Sequence, residues 1–442
     1  MITTTGGMGR REFLRRLGAA GLIATSSGLL SACGGLAGSN SGGGGAGGTT
    51  IKIGYISPQT GPLAGFTEPD GYLLDLVRQA YAKGIQSGGK SYQIEIVQKD
   101  AASDSGRAAE VAREAILQDQ VDMLVTGFTP TVGNAVSDQA EASGVPCINT
   151  IVPWESWFFG RGGTADKGFR YTYCFFTGVS GETRAVPPVW QKMTDTNKTI
   201  GAMWPNNSDG DAFRGGFTPA IQQIGYRLVD AGPYAEPASD YTTQISRFRA
   251  EDAQIFTGVP APPDFATFWR QSQQNNYRPK YAYVHKAILF PAGVEALGDL
   301  GENLMTSAWW TPDLPYTSTL DGMTAKQLAE GYQQQSGKQW LQPMAFTYAL
   351  FEVAAQVIKS APDPKDKNAV ADALGKLKTE SIVGPIDFAS GPAPNVAFLP
   401  VFPTQWQRGS GKYPYELVIV DNTLAPDVKI TGDIKPLPWA GV

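Results

Sequence analysis

The chain has 442 residues, more than a single compact core usually holds, so two compact units or one interrupted pair are expected. Hydrophobic residues make up 42% and charged residues 17%, and glycine and proline are plentiful without a repeating period, as in an ordinary globular chain and unlike collagen. A net charge of −5, with no clustered Lys and Arg outside the N-terminus, argues against nucleic acid as a partner.

The one dense basic cluster, Arg10, Arg11, Arg15 and Arg16, precedes a weakly apolar stretch at 17–30. A charged segment, a short apolar segment and small residues after it form a targeting layout. The apolar stretch is too short and too rich in Gly, Ala and Ser for a membrane span, which needs roughly 20 apolar residues. Arg10-Arg11-Glu12-Phe13-Leu14 resembles the twin-arginine export signal. Leu30-Ser31-Ala32-Cys33 resembles a bacterial lipobox, which would make Cys33 the acylated first residue of the mature protein; the alternative is an ordinary cleaved signal beside a chance cysteine. Residues 34–49, mostly Gly, Ser, Ala and Asn, read as a flexible tether with a reach of roughly 20 Å.

From residue 50 onward strands and helices alternate. Strands are predicted at 51–56, 92–98, 122–126 and 145–149, with amphipathic helices carrying Leu73, Val77, Ala80 and Tyr81, then Ala108, Val111, Ala112, Ala115 and Ile116, and a third at 131–143. Such alternation implies βαβ units and a parallel sheet. After an irregular stretch at 151–168 the pattern restarts near Gly178, with strands at 199–204, 226–230, 253–257, 281–284 and 304–308 and helices at 182–193, 212–224, 241–250 and 264–275. Further helices are predicted at 323–335, 343–359 and 368–377, and strands at 386–388, 396–405 and 415–421 read as an antiparallel appendage. Cys147 and Cys174 fall in apolar strand-like runs; in an exported protein they form either a disulfide or two separate buried thiols.

The sequence offers little for catalysis. His285 is the only histidine, so neither a multi-histidine zinc site nor an H-E-x-x-H pair can be built, and no G-x-S-x-G elbow is present. Gly409-Ser410-Gly411-Lys412 has Trp406 where a phosphate loop needs its first glycine. The carboxylates Asp209 and Asp211, or Glu251 and Asp252, read as capping or solvated residues. No enzyme activity, cofactor or metal is expected. The unusual features are loops after predicted strands, where open α/β sheets bind ligands. These are 57–66, ending in Phe66; 127–131, leading into a helix whose N-terminus favours an anion; and 149–159, with Trp154, Trp157 and Phe158 as either a ligand wall or a patch beneath a long loop.

Ile51-Lys52-Ile53-Gly54-Tyr55-Ile56-Ser57-Pro58-Gln59-Thr60-Gly61-Pro62, with Gln98-Lys99-Asp100, Ser143-Gly144-Val145-Pro146, Ser307-Ala308-Trp309-Trp310-Thr311-Pro312 and Gly337-Lys338-Gln339-Trp340, resembles the type I periplasmic binding proteins of branched-chain amino acid and amide uptake. The resemblance covers nearly the whole mature chain. It implies an α/β fold of two Rossmann-like lobes joined by three crossover strands, with a ligand in the cleft. The lobes are expected at 50–177 plus 312–385 and at 178–311 plus 386–442, after a signal segment at 1–33 and a linker at 34–49.

The family's site residues carry over onto Thr129-Pro130-Thr131 as the hydroxyl loop for a ligand carboxylate and Ile151-Val152-Pro153 as the second loop. The two aromatic walls of the second lobe fall at Asp209 and at Val259-Pro260, so both aromatics are missing. The acid that holds an α-ammonium falls at His285-Lys286, which reverses the charge unless Lys286 is simply solvated. The preferred ligand is therefore a carboxylate-bearing compound with an apolar or aromatic body against Trp154 or Trp309. The implied role is a monomeric, lipid-anchored extracytoplasmic receptor handing its ligand to an ABC permease, or a sensor signalling to a membrane partner. A neighbouring permease gene favours the first and a histidine kinase gene the second.

Overall fold

The computed structural model describes residues 49–440; the twin-arginine motif, Cys33 and nearly all of the tether lie outside them. The strands in chain order are β1 (Thr49–Ser57), β2 (Ile85–Ser87), β3 (Lys90–Asp100), β4 (Met123–Gly127), β5 (Cys147–Thr150), β6 (Thr172–Phe176), β7 (Thr199–Met203) and β8 (Arg227–Asp230). They continue as β9 (Ile255–Gly258), β10 (Tyr281–Val284), β11 (Met305–Ala308), β12 (Lys378–Thr379), β13 (Ile386–Asp387), β14 (Val396–Phe398), β15 (Phe402–Arg408) and β16 (Tyr415–Ile419). Two seven-stranded sheets result, ordered β14-β6-β5-β4-β1-β3-β2 and β16-β15-β11-β10-β9-β7-β8. Both are mixed. The central strands run parallel, as helix crossovers require, while β2 in the first sheet and β15 and β16 in the second run antiparallel to their neighbours.

Each sheet is buried between helices, which is why β4, β5, β7, β9 and β10 are wholly buried and read as continuous apolar runs. The helix Pro343–Ser360 belongs to the first lobe's core although it follows the second lobe's strands in sequence. The chain therefore crosses between lobes after β6, after β11 and again between β14 and β15. That last crossing corrects the expected organisation. The run 396–405 is not one strand: Val396–Phe398 pairs in parallel with β6 in the first sheet, and Phe402–Arg408 pairs antiparallel with β11 in the second. Residues 396–398 thus lie in the first lobe's sheet rather than in the second lobe. Pro400, which cannot donate to a strand ladder, sits where the run breaks.

Cys147 and Cys174 are free and buried. The register pairs Cys147 with Thr172 and Asn149 with Cys174. The cysteines are thus two residues out of step on neighbouring strands, about 8 Å apart between Cα atoms at ordinary strand spacings, too far for a disulfide. Burial pushes the Cys147 thiol up to about 12, away from the thiolate form that an activated cysteine needs. Among the described residues, no helix is long and apolar enough to cross a membrane.

Two carboxyls are buried in the first lobe. Burial lifts Asp70 to about 7 against the hydrogen bonds from Tyr55 and Ser57, and lifts Glu352 to about 7 against those from the Ile382 and Thr319 backbone. Both values exceed those of the unfolded chain, so the native state holds the extra protons. Their contribution to stability is complete below about pH 4 and is lost as pH rises through 7. Asp70→Asn is expected to raise the melting midpoint at pH 8 by about 2–4 °C per kcal/mol recovered, to leave it nearly unchanged at pH 4.5, and so to flatten the profile between. A parallel shift at all pH values would contradict this assignment.

Candidate ligand site between the lobes

The site lies at the carboxyl ends of β4, β5 and β6 on one side and of β7, β9 and β10 on the other, where parallel strands stop and their loops face the opposite lobe. It is a cavity with about 660 Å³ of empty space, part of it open to solvent. Of the residues singled out from sequence, Phe66, Thr129, Ile151, Asp209, Val259, His285, Lys286 and Trp309 line it. Thr131 and Trp154 do not.

Two of the first-lobe loops that reach the cavity are held in costly backbone conformations. Phe128, Thr129 and Ile151 have φ of 72°, 84° and 55°, in the region that side chains disfavour. They persist because the loops brace each other: Phe128 N–H donates to the Thr150 carbonyl (3.3 Å) and Thr129 N–H to the Ile151 carbonyl (3.0 Å). Thr129 then begins the helix Pro130–Ser143, and its buried Oγ1 has no hydrogen-bond partner. A lone hydroxyl beside the first N–H groups of a helix is a ready donor site for an anion. Thr177 Oγ1, at the first crossover, is likewise buried, unpartnered and in a cavity-lining residue.

Trp154 serves the crossover instead. It opens the short helix Trp154–Phe158, its N–H donates to the Thr177 carbonyl (3.0 Å), and its Nε1 donates to Ser180 Oγ (3.1 Å). Its neighbour Glu155 accepts from the N–H groups of Val179 (3.0 Å) and Ser180 (2.8 Å), capping the helix Val179–Lys192. Trp157 and Phe158 are fully buried in the first lobe's core. The aromatic cluster therefore packs the first lobe and braces the first crossover, and none of its three side chains lines the cavity. A Cβ on Gly178 would stand 1.8 Å from Glu155 Oε2 and 2.6 Å from Trp154 Cδ1. Gly178→Ala is expected to evict the Glu155 cap at a cost of about 1 kcal/mol. Combined with Glu155→Ala it should cost no more than the worse single change, because both remove one cap. Additive melting shifts would contradict that reading.

In the second lobe the apparent charge reversal takes a different form. Lys286 Nζ lies 2.7 Å from Asp209 Oδ2, so the cation is paired across 77 positions of sequence. Burial pulls the Lys286 ammonium down, but Asp209 and then Glu236 outweigh it and leave its affinity for protons raised. Nor is the wall without aromatics: Phe213, one helical turn beyond Asp209, lines the cavity with Phe66, Phe176 and Trp309. Trp309 is set edge-on against Phe176 at 4.9 Å, and its N–H donates to Gln342 Oε1 (2.7 Å). Phe66 and Phe290 meet edge-to-face at 5.0 Å across the two lobes.

Sequence reading did not single out Glu182, a buried acid in the first turn of the helix Val179–Lys192 that lines the cavity. Ser307 Oγ donates to its Oε2, Tyr283 Oη in turn donates to Ser307 (2.8 Å), and His285 Nδ1 lies 3.4 Å away. Its signal was weak, since a Glu in the first turn of an amphipathic helix normally complements the helix dipole.

The profile of a family described as "Periplasmic binding protein" matches residues 50–410. Among solved structures, the fold is similar to a leucine-binding protein from Thermotoga maritima, 18% identical with a TM-score of 0.67, covering 84% of this chain and 98% of that one. It is also similar to a solute-binding protein of an ABC transporter from Rhodopseudomonas palustris in complex with 3,4-dihydroxybenzoic acid (16%, TM-score 0.67, covering 88% and 99%). A third, from R. palustris in complex with 4-hydroxybenzoate, is 15% identical with a TM-score of 0.66, covering 84% and 96%.

Proposed function

Because the chain belongs to the type I periplasmic binding protein family, a family of solute-binding proteins, we propose that it is the extracytoplasmic receptor of an ABC importer and that its ligand is a carboxylate-bearing compound with an apolar or aromatic body. The observation that carries the proposal is the cavity itself. Much of its wall is apolar, from Phe66, Phe176, Phe213, Val259, Leu289 and Trp309, and two lining residues, Thr129 at a helix start and Thr177 at the crossover, carry buried hydroxyls that no protein group engages. Apolar walls with a few convergent polar groups are what a small-molecule site needs. Ligand held by both lobes would favour the closed arrangement over the open one, and the closed form would be presented to the permease. Two of the similar structures carry aromatic acids, which is consistent with this ligand class.

Export by the twin-arginine signal and acylation at Cys33 complete the proposal and account for the tether that follows. Glu182 supports a second reading, an amino-acid ligand whose ammonium meets this carboxylate. A thermal-shift panel of aromatic acids, aliphatic acids, amides and branched-chain amino acids separates the two. The leading reading predicts stabilisation that grows with concentration for the organic acids. Stabilisation by leucine-type amino acids alone would overturn it.

A further inference from the structure

The second lobe contributes a polar group to the cavity that the carboxylate-binding reading does not use. Glu182 is 6% exposed and His285 5%, and both line the cavity. Ser307, held by Tyr283, spends its single proton on Glu182 Oε2, which fixes the carboxylate's orientation. Glu182 is bonded within the protein through Oε2, which leaves Oε1 for a partner in the cavity, and His285 Nδ1 has no partner in hydrogen-bond geometry despite lying 3.4 Å from Oε2. His285 is walled by Phe213 (4.8 Å), Phe217 (5.0 Å) and Tyr283 (5.0 Å), so water has little access to it. The nearby cation Lys286 is already engaged by Asp209. A ligand that fills the cavity strips water from this carboxylate oxygen, at a cost in free energy unless the ligand donates to it.

Resting on the reading of the cavity as an organic-acid site, we infer that Glu182, oriented by Ser307 and backed by His285, is the specificity-determining acceptor of the second lobe. The ligand therefore carries a hydrogen-bond donor, a hydroxyl or an ammonium, on the part that faces it, away from the acidic group held near Thr129. A ligand of the same shape without the donor leaves the acid unpaired and is rejected, since missing partners for buried polar groups discriminate far more than missing methylenes.

The test is isothermal titration of the full mature chain with three benzoates that differ only in the para substituent: 4-hydroxybenzoate, 4-(aminomethyl)benzoate and 4-methylbenzoate, with 4-ethylbenzoate as the size control for the aminomethyl compound. At least one donor-bearing acid should bind about 10- to 100-fold more tightly than the methyl compound, and which one does so identifies the donor. In Glu182→Leu that preference should collapse to within about threefold. In Glu182→Gln an ammonium preference should vanish and a hydroxyl preference should shrink, so this isosteric variant decides the matter if Glu182→Leu does not fold. A merely structural Glu182 would weaken all three acids together. Equal binding of all three by the parent protein, or preferences that survive in Glu182→Gln unaltered, overturns the inference while leaving the carboxylate reading intact. If none of the three binds, the same comparison is made between the acid that stabilises the protein in the thermal panel and its donor-free analogue; equal binding of that pair overturns the inference, and the absence of any stabilising acid overturns both.

Discussion

Thr129→Gly is expected to make the protein more stable and a worse receptor. Thr129 sits at φ 84° and ψ 157°, a region that glycine enters freely and a β-branched residue enters at a cost of about 1–3 kcal/mol. Glycine relieves that strain, so the melting midpoint should rise. The same change deletes the unpartnered hydroxyl, and a hydrogen bond to a charged ligand group is worth about 1.5–3 kcal/mol, so affinity should fall about 10- to 100-fold. Thr129→Val keeps the strain and loses only the hydroxyl; it should share the affinity loss without the full gain in stability. Calorimetric melting and titration of both variants check this. A glycine variant that binds as well as the parent would remove Thr129 from the site.

The second large effect is a pair of opposite signs at the ion pair. Lys286→Ala leaves the Asp209 carboxylate uncompensated beside the cavity, whereas Asp209→Asn frees the Lys286 ammonium. At an effective dielectric of about 20 and a separation of about 7 Å, one unit charge changes the energy of an anionic ligand by about 2 kcal/mol, roughly thirtyfold in affinity. An organic acid should therefore bind about thirtyfold more weakly to Lys286→Ala and more tightly to Asp209→Asn. A zwitterionic amino acid, with no net charge, should respond much less to either. Tight leucine binding that ignores Lys286→Ala would point back to the amino-acid reading.

Much of the fold was legible because burial writes itself into spacing. The apolar runs at β4 and β10 and the 3.6-residue pattern of Leu73, Val77 and Tyr81 each have one physical solution. The split at Pro400 was not legible, because 396–398 and 402–405 are both strand-like and only the free edges of two different sheets decide where each goes. The site loops could be located because they follow strand ends, yet Trp154 was assigned to the ligand when it holds the crossover. An aromatic in a loop has the same pattern in either role. Asp209 and Lys286 were each visible as anomalies, and their pairing across the lobe was not, since nothing local in sequence connects a helix start to a strand end. Glu182 was hidden for the opposite reason: nothing about it looked anomalous until Ser307, Tyr283 and His285 were brought around it.

The most direct measurement is mass spectrometry of the small molecules retained by the protein purified from its native envelope, compared with those retained by Thr129→Val. The proposed function predicts one organic acid with an apolar or aromatic body, present at about one per chain in the parent and depleted in the variant. A retained ligand without an acidic group, or one held equally by the variant, would contradict it.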